Sequence, residues 1–110
     1  MDAPPMGKSE RRLKLEASLA ENPGDTFLRY GLAMQCLQEG DLAEGRQRLR
    51  DLIADHPEDS IAAYQQLAQS LLDHGEIEEA RAILEVGIVK ARLKGDAHAA
   101  SEMEGLLIQC

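Results

Sequence analysis

The chain has 110 residues, of which 44% are hydrophobic, 29% charged and 3% aromatic, and its formal net charge is −8. This length suits a single domain. Its core must be built from Leu, Ala, Ile and Val, because Phe27, Tyr30 and Tyr64 are its only aromatic residues. β-branched residues never alternate, which excludes a sheet-based fold. The excess of 20 acidic over 12 basic residues repels phosphate backbones, so no nucleic acid is expected as a partner.

Residues 1–8 contain no apolar signal core and are expected to be disordered. Lys8, Arg11, Arg12 and Lys14 give the next stretch a basic tint, which reads as a solvated helix start. A helical pattern covers residues 9–21, with Leu15, Leu19 and Ala20 as its apolar face, and ends at Asn22-Pro23. No apolar run approaches the roughly 18–20 residues that span a bilayer, so no membrane is expected as a partner. Cys36 and Cys110 form no disulfide framework, and reduced thiols in the cytoplasm are the simplest expectation.

An internal repeat follows. Asn22-Pro23-Gly24-Asp25-Thr26-Phe27 is answered by His56-Pro57-Glu58-Asp59-Ser60-Ile61. Leu32-Ala33 is answered by Leu67-Ala68, Gly40-Asp41-Leu42 by Gly75-Glu76-Ile77, Gly45 by Ala80, and Leu49 by Leu84. Each copy reads as two helices. Asp25 or Thr26, and Asp59 or Ser60, are suited to cap the first helix of each. Gly40 and Gly75 supply the left-handed residue that ends it. The second helix starts near Leu42 or Ile77, and the earlier of these two stops before His56-Pro57. Connections this short make the paired helices antiparallel.

Leu28 and Leu32 line one face of the first helix, and Leu42, Leu49, Leu52 and Ile53 line the next. Leu67, Leu71, Ile77, Ile83, Leu84 and Ile88 repeat the pattern. Ala33 with Gly45, and Ala68 with Ala80, fall where paired helices come closest. Gly31, Gly45 and Gly87 lie inside predicted helices, where close packing is the expected compensation for weak helix propensity.

The paired motifs Leu32-Ala33, Gly40-Asp41-Leu42, Gly45, Leu49, Pro57 and Leu67-Ala68, Gly75-Glu76-Ile77, Ala80, Leu84 resemble the tetratricopeptide repeat family. The period of 34–35 residues and the short compact form are similar to those of small stand-alone bacterial repeat proteins. The resemblance implies an all-α superhelix of antiparallel hairpins, with repeats at 23–59 and 60–94, a flanking helix at 9–22 and a capping helix at 95–110. In that cap Asp96 is the expected N-cap, and Ala99, Met103, Leu106 and Leu107 share one face. The early aromatic of the family pattern is Arg29 beside Tyr30 in the first copy and Tyr64 in the second.

The residues supply no catalytic set. His56, His74 and His98 fall at turns or helix starts, without the spacing of a metal site. Cys36 reads as a packing residue, and Cys110 has no base partner. The acidic run Asp73, Glu76, Glu78, Glu79 fits a helix N-terminus better than a calcium loop. No enzyme activity and no cofactor are therefore expected.

Phe27, Tyr30, Met34 and Leu37 recur at spacings of three, four and three, which places them in one row on the first helix. The resemblance implies that this row faces a concave groove, with Gln65, Gln69 and Leu72 as later counterparts. Two readings compete: the terminal helices bury the row, or it stays open and takes a peptide or helix of another protein. Tyr30 and Met34 are the better contact residues. Some family members hold a C-terminal carboxylate with Lys and Asn, but the corresponding positions here are Tyr30, Met34, Gln65 and Gln69, so no such ligand is expected. The expected role is a protein-binding scaffold, with homodimer formation through the same stripe as the alternative.

Overall fold

The computed structural model describes residues 7–110, and the expectation of disorder at 1–8 falls largely on residues outside that range. The described residues contain six α-helices and no strand. They are α1 (Glu10–Glu21), α2 (Thr26–Gln38), α3 (Leu42–Asp55), α4 (Ile61–Asp73), α5 (Ile77–Leu93) and α6 (Ala97–Ile108). The chain divides into two compact units, the first ending at Arg48 and the second running from Leu49 to Cys110.

Helix ends follow local chemistry. Ser9 caps α1 by accepting from the Arg12 N–H, and Asp25 caps α2 by accepting from the Leu28 N–H. Asp96 caps α6 through the Ala99 N–H at 3.0 Å. At α4 neither expected cap forms. The Ser60 hydroxyl instead donates to the Leu52 carbonyl at 3.1 Å, and Asp59 pairs with Lys94 at 2.6 Å. The turn ahead of α4 is held from the side, where the Tyr64 hydroxyl donates to the Pro57 carbonyl at 2.9 Å.

Three turns are copies of one another. Gly40, Gly75 and Gly95 all take positive φ, at 85°, 77° and 75°. The N–H of the next residue then reaches back over the helix end. Asp41 N–H donates to the Cys36 carbonyl at 2.9 Å, Glu76 to Leu71 at 2.9 Å and Asp96 to Ala91 at 2.8 Å. This closes the orphan carbonyls of α2, α4 and α5 in the same way, and only glycine enters the left-handed region without strain.

In the first unit α1 packs on α2, and the start of α3 lies against the α2 residues Ala33 and Leu37. Leu32, Ala33 and Cys36 are fully buried, while Leu15 and Leu19 are half-buried and Ala20 is exposed. In the second unit α4 packs on α5, α5 on α6, and α4 also touches α6. Its core joins Ile61, Tyr64, Ala68, Leu84, Ile88, Ala91, Ala99, Ala100 and Met103. Ile53, Leu72, Ile83, Leu106 and Leu107 close around it. The expected face of α6 is the one that packs.

The mid-helix glycines separate into two kinds. A Cβ on Gly45 would lie 2.6 Å from Leu37 Cδ2 and 3.1 Å from the Ala33 carbonyl oxygen. One on Gly87 would lie 2.8 Å from both Met103 Sδ and Tyr64 Cβ. At Gly31 the nearest such atom is Leu15 Cδ2 at 3.8 Å, an ordinary contact, so close packing does not account for that glycine. Gly45→Ala and Gly87→Ala should each cost about 1–3 kcal/mol by overpacking. Gly31→Ala should raise stability by up to about 1 kcal/mol through helix propensity. Urea unfolding of the three variants checks the order.

Candidate functional site

Helix α2 carries the first half of the expected stripe. With Leu32, Ala33 and Cys36 facing inward, Phe27 is left 83% exposed at the start of the helix. Tyr30 and Met34 are half-buried, and burial pushes the Tyr30 phenol pKa up. Leu37 is half-buried as well, but its Cδ2 lies where Gly45 lacks a side chain, so much of its surface is occupied within its own hairpin. The accessible part of the row is thus its N-terminal end.

Helix α4 carries the other expected residues. Gln65, Gln69 and Leu72 are all half-buried. Gln65 donates an amide N–H to Glu102 of α6 at 3.1 Å, and Gln69 donates to Asp73 at 2.9 Å. Leu72 packs against the second unit's core. This helix therefore presents amide groups already committed in part to neighbouring carboxylates.

A polar cluster that the sequence reading missed sits beside α2. Arg12, expected on a solvated helix start, is only 3% exposed. Its Nη2 donates to Asp41 at 3.0 Å and to Glu44 at 2.8 Å, and its Nη1 lies 3.5 Å from Glu39. Glu16 lies 3.5 Å from Nε, and Arg48 supports Glu44 at 2.9 Å. Glu39 also accepts from the Ser9 hydroxyl and from Gln35 Nε2, the latter at 2.8 Å. Burial alone would lower the guanidinium pKa; the hydrogen bonds it donates to Asp41 and Glu39 and the charge of Glu44 raise it instead. The Glu39 pKa is lowered, first by the Ser9 hydroxyl and then by Gln35. The cluster ties α1 to the end of α2 and the turn behind it. Its neighbours Lys8, Arg11 and Lys14 are exposed, as expected.

Reactive side chains do not converge. Burial raises the Cys36 thiol pKa, which favours the thiol over the nucleophilic thiolate. His74 Nδ1 lies 2.8 Å from the Ser70 carbonyl, and His98 pairs along its own helix with Glu102 at 3.2 Å. Among the described residues no group of three or more His, Cys, Asp or Glu is placed to hold a metal ion, and no helix is long and apolar enough to cross a membrane.

A sequence model of the tetratricopeptide repeat matches residues 37–101, more than half of the chain. This chain belongs to the tetratricopeptide repeat family. The solution structure of protein BPP2914 from Bordetella parapertussis has the same fold, with a TM-score of 0.78 and 24% sequence identity. That likeness covers 92% of this chain and 87% of that one. No curated protein matches the chain significantly. Tetratricopeptide repeats in general mediate protein–protein interactions, so the fold supports an interaction module. Within the Arg12 cluster, Ser9, Arg12 and Glu16 lie on or beside α1, outside the matched stretch, while Glu39, Asp41, Glu44 and Arg48 lie inside it.

Arg12→Leu should lower the stability of this repeat protein by about 2–3 kcal/mol, because it takes the buried cation away from four carboxylates, Glu16, Glu39, Asp41 and Glu44. Lys14→Ala, at an exposed site, should stay within about 0.5 kcal/mol. Urea unfolding separates the two. The folded Glu39 pKa is depressed, so this residue stabilises the fold at neutral pH and that contribution is lost as pH falls. Between about pH 6 and about pH 3 the melting temperature of wild type should fall further than that of Glu39→Gln, the two converging at the acid end.

Proposed function

We infer that this chain is a non-catalytic protein–protein interaction module. Residues 23–59 and 60–94 are its two repeats, with flanking elements at 9–22 and 95–110. Phe27, Tyr30 and Met34 are its principal contacts, and they take an apolar helix or extended peptide. The observation that carries this reading is the exposure of Phe27. The chain has a single Phe and no Trp, yet that Phe is left outside the core while Tyr64 is buried. Tyr30 and Met34 lie in the same row, one rigid and one adaptable. On α4, Gln65 and Gln69 supply oriented amides for a partner's polar groups, with Leu72 a minor apolar contact. The setting is the cytoplasm, where both cysteines remain thiols.

Affinity should be micromolar, about −8 kcal/mol, because so few anchors are available. Capture from the host with wild type beside the Phe27→Ala/Tyr30→Ala/Met34→Ala variant tests the assignment. Far-UV circular dichroism confirms that the variant's helices are intact. A partner retained by wild type and weakened about tenfold or more in the variant supports the stripe. An identical set of partners in both overturns it. A concentration-dependent dimer in light scattering, abolished by the same substitutions, would give the stripe to self-association instead.

A further inference from the structure

Helix α1 carries cations on two sides. Arg12 is buried in the cluster described above, while Arg11 and Lys14 lie round the helix from it and stay exposed. Glu10, Arg11, Lys14, Leu15 and Ser18 share one face of α1, at spacings that make helical neighbours. Together they line an open cleft of about 340 Å³. That volume falls at the small end of ligand sites, which run from roughly 300 to 1,000 Å³, and suits a short stretch of chain. Leu15, half-buried near Gly31 of α2, is its apolar member.

The cations of this cleft stand apart from the rest. The chain has 12 Arg and Lys residues. Lys8 pairs with Glu16, Arg12 and Arg48 share Glu44, and Arg50, Arg81, Lys90, Arg92 and Lys94 each face a carboxylate. Arg29 and Arg46 are engaged as well. Arg11 and Lys14 alone have no partner among the described residues, and both line the same cleft. The excess of acid lies elsewhere in the sequence. Residues 7–48 hold seven Arg and Lys against seven carboxylates, whereas residues 49–110 hold five against 12.

We propose that this cleft binds an acidic segment of another protein, one in which Asp or Glu side chains flank an apolar residue. The Arg11 guanidinium offers a fork to one carboxylate, the Lys14 ammonium a point charge to the next, and the Ser18 hydroxyl a further donor. Leu15 receives the apolar side chain between them. Glu10 in the same wall limits the charge the cleft accepts. It opposes a dianionic phosphoryl group or a nucleic-acid backbone more than it opposes single carboxylates. The lining residues all belong to α1, so the assignment does not rest on the α2 stripe.

The test uses the full chain and two short fluorescent peptides with blocked ends. One has pairs of Glu flanking single Leu residues, and its twin has Gln in place of Glu. Binding is measured at physiological salt, where exposed charges more than about 8 Å apart are largely screened. Wild type should bind the Glu/Leu peptide about tenfold more tightly than the twin, and Arg11→Gln with Lys14→Gln should remove that preference. Both positions are exposed, so the variant's urea unfolding should match that of wild type. Arg92→Gln with Lys94→Gln takes away the same charge from exposed surface pairs and should leave binding within about twofold, which separates the cleft from net charge. Equal binding of the two peptides, no binding, or a preference that survives the loss of Arg11 and Lys14 overturns the proposal. So does a phosphoserine peptide or a single-stranded oligonucleotide bound as tightly as the Glu/Leu peptide. A wild-type dimer in light scattering that Arg11→Gln/Lys14→Gln dissolves overturns it too, since the occupant would then be a second copy.

Discussion

Close approach between helices sets the terms for the rest of this structure. At Gly87 the chain leaves out a single methyl group, and the space is filled by Tyr64 from α4 and Met103 from α6. One backbone position therefore brings three helices together. Gly45 brings two helices together in the first unit, where Leu37 of α2 rests against bare α3 backbone. A core poor in aromatic residues has few bulky groups with which to bridge wide gaps, so it closes by moving helices inward. The mostly small or aliphatic character of the second unit's core, Ala68, Ala91, Ala99 and Ala100 among them, is the same solution written in side chains.

This close packing also decides what is left outside. Helices drawn together over small residues bury narrow stripes, and the remaining apolar residues fall on other faces. Phe27 and, on α5, Val86, Val89 and Leu93 are exposed for that reason. None of them is a defect in the core, which is complete without them.

Much of the fold was legible in the sequence because its punctuation is local. Proline and glycine mark the boundaries of α2 to α5, and the observed helices end where Gly40, His56-Pro57 and Gly75 require. The α4 caps were less legible, because Asp59 and Ser60 satisfy local capping rules but are drawn to Lys94 and the Leu52 carbonyl. Those partners lie on other helices, Leu52 on α3 and Lys94 just past α5. Arg12 escaped for a similar reason. In a run with Lys8, Arg11 and Lys14 it has the pattern of a wet face, and only the fold shows that Glu39, Asp41 and Glu44 converge on it. Of the expected contact residues, Tyr30 and Met34 were the better candidates in the sequence, yet Phe27, in the first turn of α2, is the exposed one while those two are half-buried. The partial occupation of Leu37 by its own hairpin depended on the missing side chain at Gly45, and the committed amides of Gln65 and Gln69 on carboxylates a turn or a helix away.

The three glycine turns share their backbone bonds but differ in the side chain that follows. Asp96 caps the next helix, Glu76 does not, and Asp41 accepts both from the Glu44 N–H at the start of α3 and from Arg12. Closure by main-chain atoms thus frees the adjoining position from any duty in building the joint. A duplicated hairpin inherits that freedom with each copy. It can set one acidic residue to fastening a neighbouring helix and another to capping the next, so that joints with the same backbone diversify in their side chains.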